Sequence, residues 1–257
     1  MEVEVSHTNK IRLLIGLVLV AISAAFFIEA IPQDLAYHQF SDANSLWGIP
    51  NGWNVLSNLL FMIAGLRGLI MLARLNNDAI TGVIKNISLL FFIGLFLTGI
   101  GSGYYHLGPT NVTLVWDRLP MTIAFMAFFS FVLSMHISKR VGWLLLWPLI
   151  LVGIASVLYW AFTESIGAGD LRFYAAVQFL PMLLIPAIML MFPSDDYQSR
   201  YVWCVIGVYL AAKVSEYFDY QLYALIGVSG HSLKHVIAAC SGIAFFYAIK
   251  SITINRK

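Results

Sequence analysis

The chain has 257 residues, of which 60% are hydrophobic and 11% are charged, and its formal net charge is +2. Soluble globular domains carry about 25% charged residues, so this composition excludes a large soluble fold and indicates an integral membrane protein. The near-neutral charge and the lack of a basic stripe in the sequence also argue against a nucleic-acid partner.

Eight apolar segments are long enough to cross about 30 Å of hydrocarbon. They lie at approximately 11–31, 53–74, 86–106, 113–136, 141–163, 171–192, 200–221 and 231–250. Because their connections are short, we expect an all-α, polytopic transmembrane bundle forming a single integral membrane domain over 1–257. In this interpretation 11–31 is an extra N-terminal helix, and 53–250 is a seven-helix catalytic core.

The first segment allows two interpretations. A basic flank precedes it, and small residues follow its start, as in a cleaved signal peptide. However, about 20 apolar residues is long for the core of a signal peptide, which favours a retained helix. Cleavage would leave seven helices in the same orientation.

Basic residues predict that orientation. The connections at 32–52, 107–112 and 222–230 contain no Lys or Arg, whereas those on the other side contain Lys10, Arg12, Arg74, Lys85, Lys139, Arg140, Arg200, Lys250, Arg256 and Lys257. Since cytoplasmic loops are enriched in Lys and Arg, we expect both termini in the cytoplasm. The short loops favour a bacterial inner membrane.

Several ionisable residues converge near the outer face in this orientation. His106 ends the third predicted helix, Asp117 lies near the start of the fourth, and His231 and His235 lie near the start of the eighth. Ionisable groups are rare in membrane spans unless they perform chemistry, conduct ions or pair with one another. Their common depth therefore predicts a functional site.

The histidine spacing favours a metal. His231 and His235 are i, i+4 neighbours, so both imidazoles project from one helix face. Together with His106 they form a three-histidine set, which is typical of catalytic zinc with one open ligand position. Bound zinc lowers the pKa of a water and polarises a carbonyl. Asp117 is then a candidate general base and acid, and Ser102 a candidate hydrogen-bond donor to a developing oxyanion.

The other polar residues have simpler interpretations. A single membrane histidine is more often a hydrogen-bonding group than a ligand, and we expect His7, His38 and His136 to be surface or interfacial groups. Lys213 and Glu216 are expected to pair with each other. The remaining expectations are that Lys234 pairs with Glu216 or Asp219, and that Asp219 orients a histidine.

Three segments resemble the alkaline ceramidase family: Ser102–His106 (SGYYH), Asp117–Met121 (DRLPM) and Gly230–His235 (GHSLKH). This family belongs to a superfamily of seven-helix membrane hydrolases with the adiponectin-receptor-like proteins and the Per1-type GPI-lipid remodelling factors. Its pattern is a Ser four residues before a His, an Asp eleven residues after that His, and a late His-x-x-x-His. Every position is filled here, and the resemblance covers about 42–250.

The resemblance implies a zinc amidase that hydrolyses the N-acyl bond of ceramide or a related acyl lipid. It implies that His106, His231 and His235 bind zinc and that Asp117 and Ser102 serve catalysis. The sequence does not choose between ceramide and another N-acyl or O-acyl lipid.

The segment 51–58 (NGWNVLSN) is similar to the ceramidase segment in which an acidic residue helps to bind calcium near the membrane surface. Here Asn51 stands at that position, and the upstream acidic cluster is reduced to Asp42 with Asn44. Fewer charged oxygens predict weaker affinity for a hard cation. The three residues therefore form a candidate calcium site of weak predicted affinity.

Two other function classes stay open. A non-catalytic or weakly hydrolytic receptor, similar to the adiponectin receptors, would bind the metal to stabilise its fold and would not require a general base. A transporter would string polar groups across the bilayer, whereas these groups cluster at one end and only Lys213 and Glu216 extend inward. A haem site is excluded, because an i, i+4 pair on one helix cannot supply opposite axial ligands.

Overall fold

The computed structural model describes residues 6–75 and 80–255. Within these ranges the regular structure is helical, apart from an isolated antiparallel bridge between Leu46 and Ile49. The helices are α1 (His7–Phe27), α2 (Gly52–Leu56), α3 (Leu59–Arg74), α4 (Gly82–Leu107), α5 (Asn111–His136), α6 (Lys139–Ser165), α7 (Arg172–Met191), α8 (Arg200–Tyr217), α9 (Asp219–Ile226) and α10 (Gly230–Asn255), with a 3₁₀ helix at Leu35–His38.

Seven helical segments of the described chain are long and apolar enough to cross a membrane, by length and composition: α1, α2 with α3, α4, α5, α6, α7 and α10. The all-α polytopic bundle is therefore confirmed. The predicted span 200–221 is not among the seven, because α8 has only 18 residues and carries three charged side chains, Arg200, Lys213 and Glu216.

Although it is less apolar, α8 runs the length of the bundle beside α10. At one end, the Gln198 backbone N–H donates to Ser251 Oγ at 3.0 Å. At the other end Gly230 packs against α8 so closely that a Cβ there would overlap the Ser215 carbonyl oxygen. Lys10 Nζ also donates to the Met191 carbonyl at 2.9 Å. The start of α1 and the end of α10 thus lie at the same end of the bundle.

Two predicted boundaries were wrong. The first helix begins at His7 and ends at Phe27, about four residues before the predicted 11–31, because the Ser6 side chain caps it. The predicted span 200–221 ends at Tyr217, and a separate helix starts at Asp219. At this break the Asp219 carboxylate accepts hydrogen bonds from the backbone N–H groups of Ser41 and His231, which lie in two other segments.

The close contact between α4 and α5 depends on glycine. A Cβ at Gly101 would overlap the Trp116 carbonyl oxygen, and one at Gly94 would lie 2.7 Å from the Ala124 nitrogen. Pro120 lies four residues after Trp116 and has no N–H, so the Trp116 carbonyl oxygen has no hydrogen-bond donor within its own helix. α4 can therefore approach this carbonyl. This contact sets the half of α4 that contains Ser102 and His106 against the segment of α5 that contains Asp117.

Candidate metal centre and active site

The three predicted histidine ligands come together; His106, His231 and His235 are called the histidine cluster below. One ring nitrogen from each lies within 4.8 Å of the others. The ring centroids are 4.9 to 5.1 Å apart, and the residues are 1%, 5% and 4% exposed. His106 comes from the last turn of α4, and the other two come from the first turns of α10.

The hydrogen bonds around the histidine cluster fit a metal ion. His235 Nδ1 lies 2.8 Å from Ser57 Oγ, which leaves its Nε2 to face other groups. His106 Nδ1 is buried and has no hydrogen-bond partner among the residues that the structure describes. An unsatisfied buried nitrogen costs about 1–3 kcal/mol, a cost that a bound metal ion offsets. Three imidazoles form a donor set well suited to zinc.

His231 is held by its backbone and contacts a lysine. Its N–H donates to Asp219 Oδ1 at 2.7 Å, and its Nε2 lies 3.1 Å from Lys234 Nζ. Asp219, which is expected to orient a histidine, therefore contacts this one through the main chain. The other Asp219 oxygen accepts from the Ser41 N–H at 3.0 Å, which ties the loop before α2 to the start of α10.

Ser102 and Asp117 are buried and face each other across the contact between α4 and α5. Both line a cavity of about 210 Å³, and His235 lines it too. His235 of the histidine cluster and the two predicted catalytic side chains therefore border one space. The cavity contains polar groups from α5, α8 and α10 at one end, while the rest of its wall is largely apolar, including Phe61, Phe91, Leu95, Phe125, Phe128 and Met182.

The predicted ion pairs of α8 are present. Glu216 accepts from Lys213 Nζ at 2.8 Å through one oxygen and from Lys234 Nζ at 2.7 Å through the other. All three side chains line the cavity. A single carboxylate thus serves two ammonium groups, and one of them also touches the histidine cluster.

A loop between α1 and α2 covers the histidine cluster, a contact that no pattern in the sequence predicts. The Phe40 ring lies 4.7 Å from that of His106 and 4.6 Å from that of His231, measured between centroids. Burial raises the pKa of the Tyr37 hydroxyl, which stays a neutral phenol. The two aromatic side chains therefore cover the cluster on the side of this loop.

Two histidines predicted to be surface groups are instead structural. His38 bridges the Tyr105 hydroxyl at 2.9 Å and Asn111 Oδ1 at 2.8 Å. His136 is buried, with its ring nitrogens 2.6 Å from the Phe192 carbonyl and 2.7 Å from the Tyr197 hydroxyl. Sequence position could not reveal these partners, because each lies more than 50 residues away in the chain. His7 begins α1 and is exposed, as expected of a surface group.

The residues of the predicted calcium site stabilise the same loop. Asp42 Oδ1 accepts from the Asn44 side chain at 2.9 Å and from its backbone N–H at 3.1 Å. Asn51 Nδ2 donates to the His106 carbonyl at 2.9 Å. Asn51 thereby links the start of α2 to the end of α4 next to the histidine cluster. Calcium binding at these three residues stays a prediction.

A polar face at the start of the second span was also missed. Asn54, Ser57 and Asn58 are buried and point toward α10, where Asn54 Oδ1 accepts from the Ser232 hydroxyl at 2.7 Å. Their i, i+3, i+4 spacing in an otherwise apolar segment is the signal that could have indicated a buried polar contact.

A comparison with protein families agrees with the site. The family model described as Ceramidase matches residues 48–221. The match includes Ser102, His106 and Asp117 and ends before His231 and His235, which the fold brings beside His106. No match was found among curated proteins. Since the family match covers more than half of the chain, this protein belongs to the ceramidase family.

Proposed function

We propose that this protein is a zinc-dependent amidase that hydrolyses the N-acyl bond of ceramide or a related acyl lipid within the membrane. Membership of the ceramidase family supports an amide hydrolase with a lipid substrate. The observation that carries the metal dependence is the buried histidine cluster. A cavity with one polar end and a largely apolar wall suits a lipid with a polar headgroup.

In this proposal His106, His231 and His235 hold the metal. Bound zinc would supply a Lewis acid for the scissile carbonyl and an activated water. The three residues are buried and approach one another closely enough to share one ion. Phe40, which packs on two of the rings, would keep bulk water away from them.

Two further side chains serve the reaction. Asp117 accepts a proton at its carboxylate from the attacking water and returns it to the departing amine nitrogen. Ser102 donates a hydrogen bond to the carbonyl oxygen, on which negative charge develops. An amide requires protonation of its leaving group more than an ester does, so the carboxylate fits amide hydrolysis well. The apolar wall accommodates the acyl chain.

The test compares the purified wild type with Asp117→Asn on a ceramide with a labelled acyl chain. We expect Asp117→Asn to keep its zinc and to lose at least about 100-fold in fatty-acid release, as removal of a general base does. Asp196→Asn is the control, since that carboxylate is exposed in the loop before α8.

Two results would contradict the proposal. Undiminished hydrolysis by Asp117→Asn would show that the Asp117 carboxylate does not take part in the reaction. Stoichiometric zinc in the wild type without turnover of any acyl lipid would instead support a receptor similar to the adiponectin receptors.

A further inference from the structure

Arg118 is a buried cation with an unused hydrogen-bond donor. It is 6% exposed, and its guanidinium lies 4.2 Å from the ring centroid of Trp160 and 4.7 Å from that of Tyr174. Its Nη2 donates to Gln33 Oε1 at 2.7 Å. Its Nη1 has no hydrogen-bond partner in the described part of the chain. The aromatic rings and the amide hold the group in place while one nitrogen stays unsatisfied.

This arginine also lacks a carboxylate partner. Within residues 6–75 and 80–255, no carboxylate oxygen lies within 4.0 Å of its nitrogens; the ion pairs found there are Arg172–Asp170, Lys213–Glu216 and Lys234–Glu216. A buried charge without a counter-ion is strongly destabilising. Contacts with aromatic faces offset only part of that cost. The fold therefore maintains a cation that a bound anion would neutralise.

Arg118, the residue that carries the unsatisfied nitrogen, lines the cavity of the proposed active site. Arg118 follows Asp117 directly on α5, and both line this cavity. The charged side chains on the wall are three cations, Arg118, Lys213 and Lys234, and two anions, Asp117 and Glu216. With histidine counted as neutral, the wall has one positive charge in excess. Charge of one sign inside a low-dielectric cavity favours a ligand of the opposite sign.

The position of Arg118 indicates which part of a lipid it would meet. Phe125 and Phe128 line the apolar wall seven and ten residues farther along α5, about 10–15 Å away along the helix axis. Gln33, from the loop after α1, covers Arg118 from the other side. An acyl chain that lies along the phenylalanines would thus leave the amine part of the amide near Arg118.

We propose that the preferred substrate is an amide lipid with an anionic group, a carboxylate or a phosphate, on the amine side of its scissile bond, and that Arg118 Nη1 binds this group. This inference rests on the proposed amidase function. Hydrolysis of such a lipid consumes one water, breaks the C–N bond, and releases a fatty acid and an amine that retains the anionic group. A neutral ceramide would leave the arginine without a counter-ion.

The experiment compares three lipids with the same acyl chain on the purified full-length protein: N-oleoylglycine, N-oleoylphosphoethanolamine and neutral N-oleoylethanolamine. We expect kcat/KM to be about 10- to 100-fold higher for at least one anionic lipid, as a charge-assisted hydrogen bond allows. Arg118→Gln should bring this ratio close to one, mainly through KM, and Arg118→Lys should restore part of it.

Arg67→Gln is the matched control, because that guanidinium also lies over an aromatic ring, that of Phe246, at 5.4 Å but does not line the cavity. It should retain the anionic preference. Equal wild-type kcat/KM values for the three lipids, together with measurable hydrolysis, would overturn the anionic-substrate inference and leave the amidase function intact.

If no lipid is hydrolysed, a binding measurement distinguishes the anion site at Arg118 from the amidase function. The thermal unfolding temperature of wild type would then be measured with N-oleoylglycine and with N-oleoylethanolamine. Selective stabilisation by the anionic lipid, abolished in Arg118→Gln, would support the anion site while contradicting the amidase function. Equal effects of the two lipids would contradict the anion site.

Discussion

The contacts of Ser57 place Nδ1 of His235 against an oxygen and leave Nε2 toward the histidine cluster. Ser57 Oγ donates to the Asn54 carbonyl at 3.2 Å and lies 2.8 Å from His235 Nδ1, and we assign the tautomer in which Nδ1 carries the hydrogen and donates it to Ser57 Oγ. The lone pair of Nε2 is then available to a metal. Ligating histidines usually donate their other nitrogen to an oxygen in this way.

Replacing Ser57 by Ala should therefore weaken metal binding without removing a ligand. The expected loss of zinc affinity is about 10- to 100-fold, the usual effect of deleting such a partner. Competition with a chelator of known affinity would measure it. Ser45→Ala is the control, since that exposed hydroxyl bonds only to a loop carbonyl, that of Ile49. Unchanged zinc affinity in Ser57→Ala would argue against this role.

Between elements, the active-site geometry depends on the distance between α4 and α5. Gly101 lets α4 approach the Trp116 carbonyl, and Ser102, the next residue, faces Asp117 on the adjoining turn of α5. Gly103 is two residues away on the same helix, and nothing lies within 4 Å of a Cβ placed there. A comparison of substitutions at Gly101 and Gly103 therefore distinguishes the effect of close helix packing from the effect of glycine on helix stability.

We predict that Gly101→Ala destabilises the protein by about 1–3 kcal/mol, the range for overpacking a closely packed interface, and reduces hydrolysis by separating Ser102 from Asp117. Gly103→Ala should be neutral or slightly stabilising, because alanine is the better helix former. Thermal unfolding in detergent and fatty-acid release would be measured on both. Equal behaviour of the two variants would show that the contact does not limit the site.

The junction of α1 and α7 should be sensitive to acid. Asp170 bonds the Arg172 guanidinium, with the closer contact at 2.7 Å, and these bonds hold the pKa of its carboxyl below the ordinary value of 3.8. Arg172 Nη1 in turn donates to the carbonyls of Ala25 and Ile28 at the end of α1. The ion pair therefore ties the first helix to the bundle.

Because the folded-state pKa is lowered, this stabilisation is complete above the unfolded pKa near 4 and is lost as the pH falls through the lower folded value. Asp170→Asn should thus lower the unfolding temperature at pH 7, and its difference from wild type should shrink toward pH 3. Unfolding temperatures across this pH range would check it. A constant difference would exclude the pair as the source.

For the whole molecule, the sequence predicted the helical class, seven of the spans and the meeting of His106, His231 and His235. The helical class and the spans follow from apolar length. The meeting of the histidines follows from the i, i+4 spacing of His231 and His235 and from the common depth at which the predicted spans place all three. The break at Phe218, the covering loop and the partners of His38 depend on residues far apart in sequence. The sequence also could not predict that Arg118 has no carboxylate within ion-pair distance among the described residues, because this depends on which residues the fold brings near it.

The most direct test of the central claim is the zinc content of the purified protein, measured by mass spectrometry on wild type and on the single variants His106→Ala, His231→Ala and His235→Ala. We predict about one zinc ion per wild-type chain, which a strong chelator removes and added zinc restores, and a large loss in each variant. A folded wild type that binds no zinc even when zinc is supplied would contradict the account.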